Sequence, residues 1–163
     1  NRRSDEYGGS FDNRTRVVRE VVEAVRSVWP EDRPLFIRVS ATDWAEGGWD
    51  VAQSVELARQ VKPLGVDLVD CSSGALVPGV KIPVAPGYQV PFAERIRREA
   101  GIATAAVGLI CEAVQADEII RRGQADIVLL ARQMLRDPYW PQRSARQLGA
   151  ALPCPVQYRR AVE

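Results

Sequence analysis

Three residues stand where a parallel α/β protein gathers ligands. Arg38 lies in the apolar run "LFIRVS", Gly108 closes "TAAVG", and Arg132 follows "DIVLLA" directly. If these runs are strands, the three residues sit on them or at their carboxyl ends, where such sheets bind ligands. Side chains alternate along a strand, so Phe36, Arg38 and Ser40 share one face while Leu35, Ile37 and Val39 share the other. An arginine within a covered strand needs an anionic or hydrogen-bonding partner. Two readings stay open: an ion pair with a neighbouring strand, or a group facing a ligand. Gly108 is either a turn residue or a place where a backbone N–H meets a phosphate with no Cβ in the way. Consecutive parallel strands are usually adjacent, about 4.8 Å apart, so Gly108 and Arg132 can face one anion together. A backbone donor beside an arginine fork makes a phosphate clamp through charge-assisted hydrogen bonds.

Composition narrows the chemistry. The 163 residues include 46% hydrophobic ones, enough for the core of one domain, and carry a net charge of +1. No basic cluster marks a nucleic-acid footprint, and nucleic acid is not expected as a partner. Lys62 and Lys81 are the only lysines, so arginine supplies nearly all the positive charge, most of it on solvated helix faces. Histidine is absent, so this chain alone builds no histidine base, Ser-His-Asp triad or histidine metal site. Cys71, Cys111 and Cys154 lack C-x-x-C spacing and read as reduced thiols of a cytoplasmic protein. No apolar run is long enough to span a membrane. Neither G-x-G-x-x-G nor a P-loop is present, which leaves a dinucleotide or triphosphate fold without its fingerprint.

The elements that would position the three residues follow from periodicity. "NRTRVVREVVEAVRSVW" spaces its valines as a helix, with Asp12 or Asn13 as cap and Pro30 as its end. Strands are expected at 35–40, 66–72, 104–108 and 126–131. Between them lie a helix capped by Asp50, one that opens near Pro91 and closes on Gly101, and one closed by Gly123. A last helix is expected after Asp137 and Pro138, followed by an extended tail over 150–163. "GVDLVD" and "GQADIVLL" form a faint repeat, a glycine and an aspartate ahead of an apolar strand. Trp44, Trp49 and Trp140 read as packing or loop anchors. Alternating strands and helices define an α/β fold with a parallel sheet, either open and doubly wound or half of an eight-fold barrel.

The stretches "NRRSDEYGGSFDNR", "LFIRVSATDW", "GVDLVDCSSGA", "PGYQVPFAERIR", "AVGLI", "ADIVLLARQMLRDPYW" and "PVQYRR" resemble the old yellow enzyme family of flavin-dependent ene-reductases, especially its thermophilic-like subgroup. The resemblance runs the length of the chain. It implies that residues 1–163 form one C-terminal half-barrel region, strands 5–8 of a (β/α)8 TIM barrel, with FMN at the carboxyl-terminal face. By the same resemblance Arg38 meets the flavin ring, Val107 and Gly108 offer backbone donors to the FMN phosphate, and Ala131 and Arg132 complete the clamp. The family usually has glycine at the Ala131 position; alanine keeps the N–H and adds a methyl group. Ser72, Ser73 and Gly74 would end the second strand near the cofactor. Arg160 would reach into the active site of a neighbouring protomer, which makes a homo-oligomer the expected assembly. In the subgroup a Gly-Trp pair often follows that arginine, where this chain has Ala161-Val162-Glu163.

The implied reaction is reduction of the C=C bond of an α,β-unsaturated carbonyl compound, with NAD(P)H as hydride donor. The family's substrate-gripping histidine pair, its proton-donor tyrosine and the cysteine that tunes the flavin lie upstream of the opening loop. The missing histidines follow from that placement, and the chain alone is expected to be inactive. An N-terminal half-barrel, in the same chain or a separate one, is the expected partner. The alternative is a non-catalytic half-barrel that binds FMN or another phosphate ligand and needs a complementary N-terminal half or self-association.

Overall fold

In the computed structural model, which describes residues 1–161, an irregular opening loop runs into α1 (Phe11–Arg26). Ser10 caps this helix, its hydroxyl accepting the Asn13 N–H at 3.2 Å. Asp12 and Asn13 therefore lie inside the first turn instead of capping it. Asp12 still complements the helix dipole there, while the Asn13 amide donates to the Gly8 carbonyl at 3.0 Å and ties the loop down. The helix also stops at Arg26, short of Pro30, because Ser27 closes its last turn on the Glu23 carbonyl.

Four parallel strands follow: β1 (Phe36–Ser40), β2 (Leu68–Ser72), β3 (Ala103–Val107) and β4 (Ile127–Leu129). They pair in sequence order, β1-β2-β3-β4. The register sets Arg38 beside Asp70, Asp70 beside Ala105, and Ala105 beside Ile127. Between the strands run α2 (Val51–Val61), α3 (Val90–Ala100) and α4 (Ala113–Arg121). Asp50 caps α2 as expected, accepting the Gln53 N–H at 2.9 Å. Gly101, at φ +63°, closes α3.

The helices cover one face of the sheet, where Val69, Cys71 and Ala106 pack against Val55, Ala58, Ala93 and Ile96. The opposite face stays open at its two ends. Phe36 on β1 is 52% exposed and Ile127 on β4 is 39% exposed. Val17, Val21 and Val25 also leave an apolar stripe uncovered along α1.

The faint sequence repeat becomes a repeated clamp at the amino ends of the strands. The Asp67 carboxylate accepts the Leu35 N–H at 2.7 Å, while the Asp67 N–H returns a bond to the Leu35 carbonyl at 2.9 Å. Arg26, from the end of α1, bonds both Asp67 and the Gly65 carbonyl. Asp126 treats Thr104 the same way, at 2.9 Å in each direction, and Arg97 from α3 joins Asp126 to the Gly123 carbonyl. Each aspartate thus brackets one residue of the preceding strand.

Beyond β4 the chain departs from expectation. The strand ends at Leu129, and Arg132 opens a separate short helix, α5 (Arg132–Arg136). Asp137 closes α5 instead of opening the last helix: its carboxylate accepts the Tyr139 N–H at 3.1 Å and pairs with Arg143. The last helix, α6 (Trp140–Gln147), starts with Pro141 in its first turn. The tail is not extended throughout. Pro155, with φ preset near the helical value, leads into a 3-10 helix at Val156–Ala161.

Candidate functional site

The carboxyl ends of β2, β3 and β4 converge on a cleft of about 240 Å³. Six of the residues singled out from sequence line it: Arg38, Ser72, Val107, Gly108, Ala131 and Arg132. Arg136, one turn beyond Arg132 on α5, joins them. Among the described residues, three arginines and no carboxylate face this space, which suits an anion and disfavours a cation.

Arg38 makes the ion pair with a neighbouring strand, and it also lines the cleft. Its Nε–H donates to Asp70 on the neighbouring strand, and its guanidinium also reaches the cleft. The Arg38 side chain is 60% exposed, so it avoids the cost of a buried unpaired charge, while that of Asp70 is 10% exposed. The second Asp70 oxygen is buried with no hydrogen-bond partner. Removing Arg38 would leave that carboxylate without its counter-ion.

Gly108 lies just past β3 with φ +122°, where an L side chain is strained. A Cβ there would sit 2.8 Å from Gln89 Nε2 and 2.9 Å from Tyr88 Cε1. Outside the helix and strand ladders, the backbone N–H groups of Gly108 and Arg132 donate to no acceptor among the described residues. The first N–H groups of any helix lack internal partners, and Arg132 is the first residue of α5. Ala131 takes the position just before α5, its backbone at φ −100° and ψ −86°.

Three predicted residues lie elsewhere: Ser73, which bonds Trp44 and Gln89, Gly74 and Arg160. Gly74 does not line the cleft; it turns at φ +73°, donates its N–H to the Thr42 carbonyl at 2.8 Å, and has the Ile82 side chain packed where a Cβ would stand. Arg160 is exposed on the terminal 3-10 helix and lines no part of the cleft. The sequence reading missed Tyr88, Gln89 and Arg136. The quoted "PGYQVP" held the first two, but no pattern set them apart from ordinary loop polarity. The three tryptophans singled out from sequence are anchors: Trp44 donates to Ser73 at 3.0 Å, Trp49 to Ser54 at 2.6 Å, and Trp140 to the Cys111 carbonyl at 2.7 Å.

Fold and cleft together define a parallel α/β protein with an anion-suited site at its strand carboxyl ends. Residues 1–150 match the family profile described as NADH:flavin oxidoreductase / NADH oxidase, and the chain belongs to this old yellow enzyme family. An NADPH dehydrogenase of Geobacillus sp. (strain WCH70) is 58% identical over 160 residues, covering 98% of this chain and 46% of that protein. The NADPH dehydrogenase of Bacillus subtilis (strain 168) is 51% identical over 160 residues, with the same shares. The chain thus spans about half the length of these relatives. Among solved structures, histamine dehydrogenase from Rhizobium sp. 4-9 superposes with a TM-score of 0.71 at 28% identity, over 91% of this chain and 22% of that one. N-acetylneuraminate lyase from Fusobacterium nucleatum shares the fold alone, with a TM-score of 0.54 at 16% identity over 90% of this chain and 45% of that one.

Proposed function

We propose that the chain is the C-terminal half of an FMN-dependent NAD(P)H oxidoreductase that reduces the C=C bond of α,β-unsaturated carbonyl compounds, its β1–β4 serving as the fifth to eighth barrel strands. The observation that carries this reading is the cleft, which among the described residues sets three arginines and no carboxylate at the ends of parallel strands. The residues fit the anionic end of FMN. Gly108 leaves room where a Cβ would collide with Gln89 and Tyr88, its N–H and that of Arg132 have no acceptor outside the ladders among the described residues, and Arg132 adds charge.

When bound, FMN supplies the hydride chemistry between nicotinamide and enone. This chain holds and polarises it. Gly108 and Arg132 bind the phosphate, with the Val107 and Ala131 backbone beside them. Arg38, paired with and oriented by Asp70, would lower the energy of negative charge on the flavin ring. Arg160 acts in a neighbouring protomer of a homo-oligomer. The groups that grip the substrate belong to the N-terminal half-barrel.

The open sheet face and the valine stripe on α1 favour a second reading, a half-barrel that binds FMN or another phosphate ligand without catalysis, its uncovered surface closed by a complementary half or by self-association. The two separate on one experiment. The chain is purified alone and again with the N-terminal half of the Geobacillus relative, and each sample is given FMN, NADPH and cyclohexenone. We expect NADPH oxidation only with the complement. Turnover by the chain alone would overturn its incompleteness, and flavin binding without turnover in both samples would favour the second reading. In the assembled protein, Arg132→Ala removes a charge-assisted contact and is expected to weaken FMN binding by roughly 1.5–3 kcal/mol, measured by flavin fluorescence titration. Arg160→Ala should change turnover with FMN retained.

A further inference from the structure

Gln89 is a buried polar group that the proposed clamp leaves without a task. Its residue is 3% exposed, and its side chain ties two strand ends together. Its Oε1 accepts from Ser73 Oγ at 2.7 Å, and its Nε2 donates to the Val107 carbonyl at 2.8 Å. A carbonyl can only accept, so the amide nitrogen must be the atom that faces Val107. Ser73 in turn accepts the Trp44 indole N–H at 3.0 Å. The chain of bonds runs from the loop after β1, through the loop after β2, to the end of β3.

The consequence lies in the peptide between Val107 and Gly108. It is trans, so its N–H points opposite to its C=O. With the Val107 carbonyl held by Gln89, the Gly108 N–H is turned away from Gln89. The following peptide is fixed likewise: Gly87 donates its N–H to the Gly108 carbonyl at 2.9 Å, which turns the Leu109 N–H away from the 87–89 segment. A glycine has little steric resistance to peptide rotation. Without the two restraints, a carbonyl oxygen could swing toward the cleft and repel an anion.

We infer that Gln89 is a positioning residue, which holds the Val107 carbonyl so that the Gly108 N–H stays presented to an anionic phosphate in the cleft. The inference rests on the FMN reading above. A neutral amide suits the task, since it donates to Val107 and accepts from Ser73 at once; methionine does neither, and an ionised glutamate cannot donate.

The test compares FMN with riboflavin, which lacks the phosphate, by fluorescence titration of the assembled protein. The unsubstituted protein binds FMN more tightly than riboflavin. Gln89→Met loses about tenfold in FMN affinity, the scale of one or two lost hydrogen bonds, while riboflavin affinity stays within about twofold. Gln89→Glu loses FMN binding at about pH 8 and regains it toward about pH 5, where the protonated acid can donate to Val107 again. Equal losses for both flavins, unchanged FMN affinity in Gln89→Met, or no recovery of Gln89→Glu in acid would each overturn the positioning role. If the unsubstituted protein does not distinguish FMN from riboflavin, the phosphate reading itself fails.

Discussion

Cys71 and Gly108 show how far a single residue's surroundings set its chemistry. Cys71 is fully buried, and burial, helped by the neighbouring Asp70, pushes its thiol pKa up to about 12. Only the thiolate is nucleophilic, so alkylation of the native protein at about pH 8 should label Cys111 and Cys154, both partly exposed, and spare Cys71. Peptide mass spectrometry reads this directly, and labelling of Cys71 at the rate of the others would refute its inertness. The same shift has a pH sign. The unfolded thiol ionises at its ordinary value of 9.0, whereas the folded one stays protonated to about 12. The unfolded state therefore holds fewer protons between those values, and stability falls as pH rises, by at most ~1.4 kcal/mol per pH unit. Urea denaturation on either side of the lower value should show a drop that Cys71→Ala abolishes. At Gly108, alanine would meet both a left-handed φ and the Gln89 and Tyr88 side chains. A stability loss of about 1–3 kcal/mol is expected, with weaker FMN binding in the assembled protein.

At the scale of elements, the two aspartate clamps hold successive strands in register from the end opposite the cleft. They differ in their surroundings. Thr104 is fully buried, and the Asp126 side chain is 33% exposed against 54% for Asp67. Asp126→Ala strands a buried Thr104 N–H, for a loss of about 1–3 kcal/mol. Asp67→Ala should lose less, because water can reach the freed Leu35 donor. Equal losses in urea denaturation would show that burial of the bracketed strand residue does not decide the effect. The helix cap at Asp50 titrates in the other direction from Cys71. Hydrogen bonding to the Gln53 N–H lowers its carboxyl pKa, so its support for α2 is present above the usual carboxylate range and is lost as the pH falls through the folded value.

For the whole molecule, the open sheet face is the dominant feature. Phe36, Ile127 and the α1 valines together expose apolar surface that a soluble monomer usually covers. The chain alone should therefore bind the dye ANS strongly, and addition of the complementary N-terminal half should suppress that fluorescence. Unchanged dye binding on complementation would show that the other half does not cover this face. β1 and β4 each have one unpaired edge in the described sheet, and self-association through those edges is the competing outcome, visible by size-exclusion chromatography.

The sequence by itself determined the alternation of helices and parallel strands, the Asp50 cap, the glycine that closes α3, and the nearness of Gly108 and Arg132 at adjacent strand ends. These features depend on residues a few positions apart, or on the rule that successive parallel strands lie side by side, and both leave a readable pattern. Other features depend on partners far along the chain. Arg38 finds Asp70 at a separation of 32 residues, and Gln89 reaches Ser73 and Val107 across 16 and 18. No local period encodes such meetings. The short helix α5 and the shift of capping to Ser10 were likewise settled by competition among nearby polar groups and turns. Only the tertiary structure, by bringing the strand ends and their loops to one place, decided which polar groups satisfy each other and which remain free to meet a ligand.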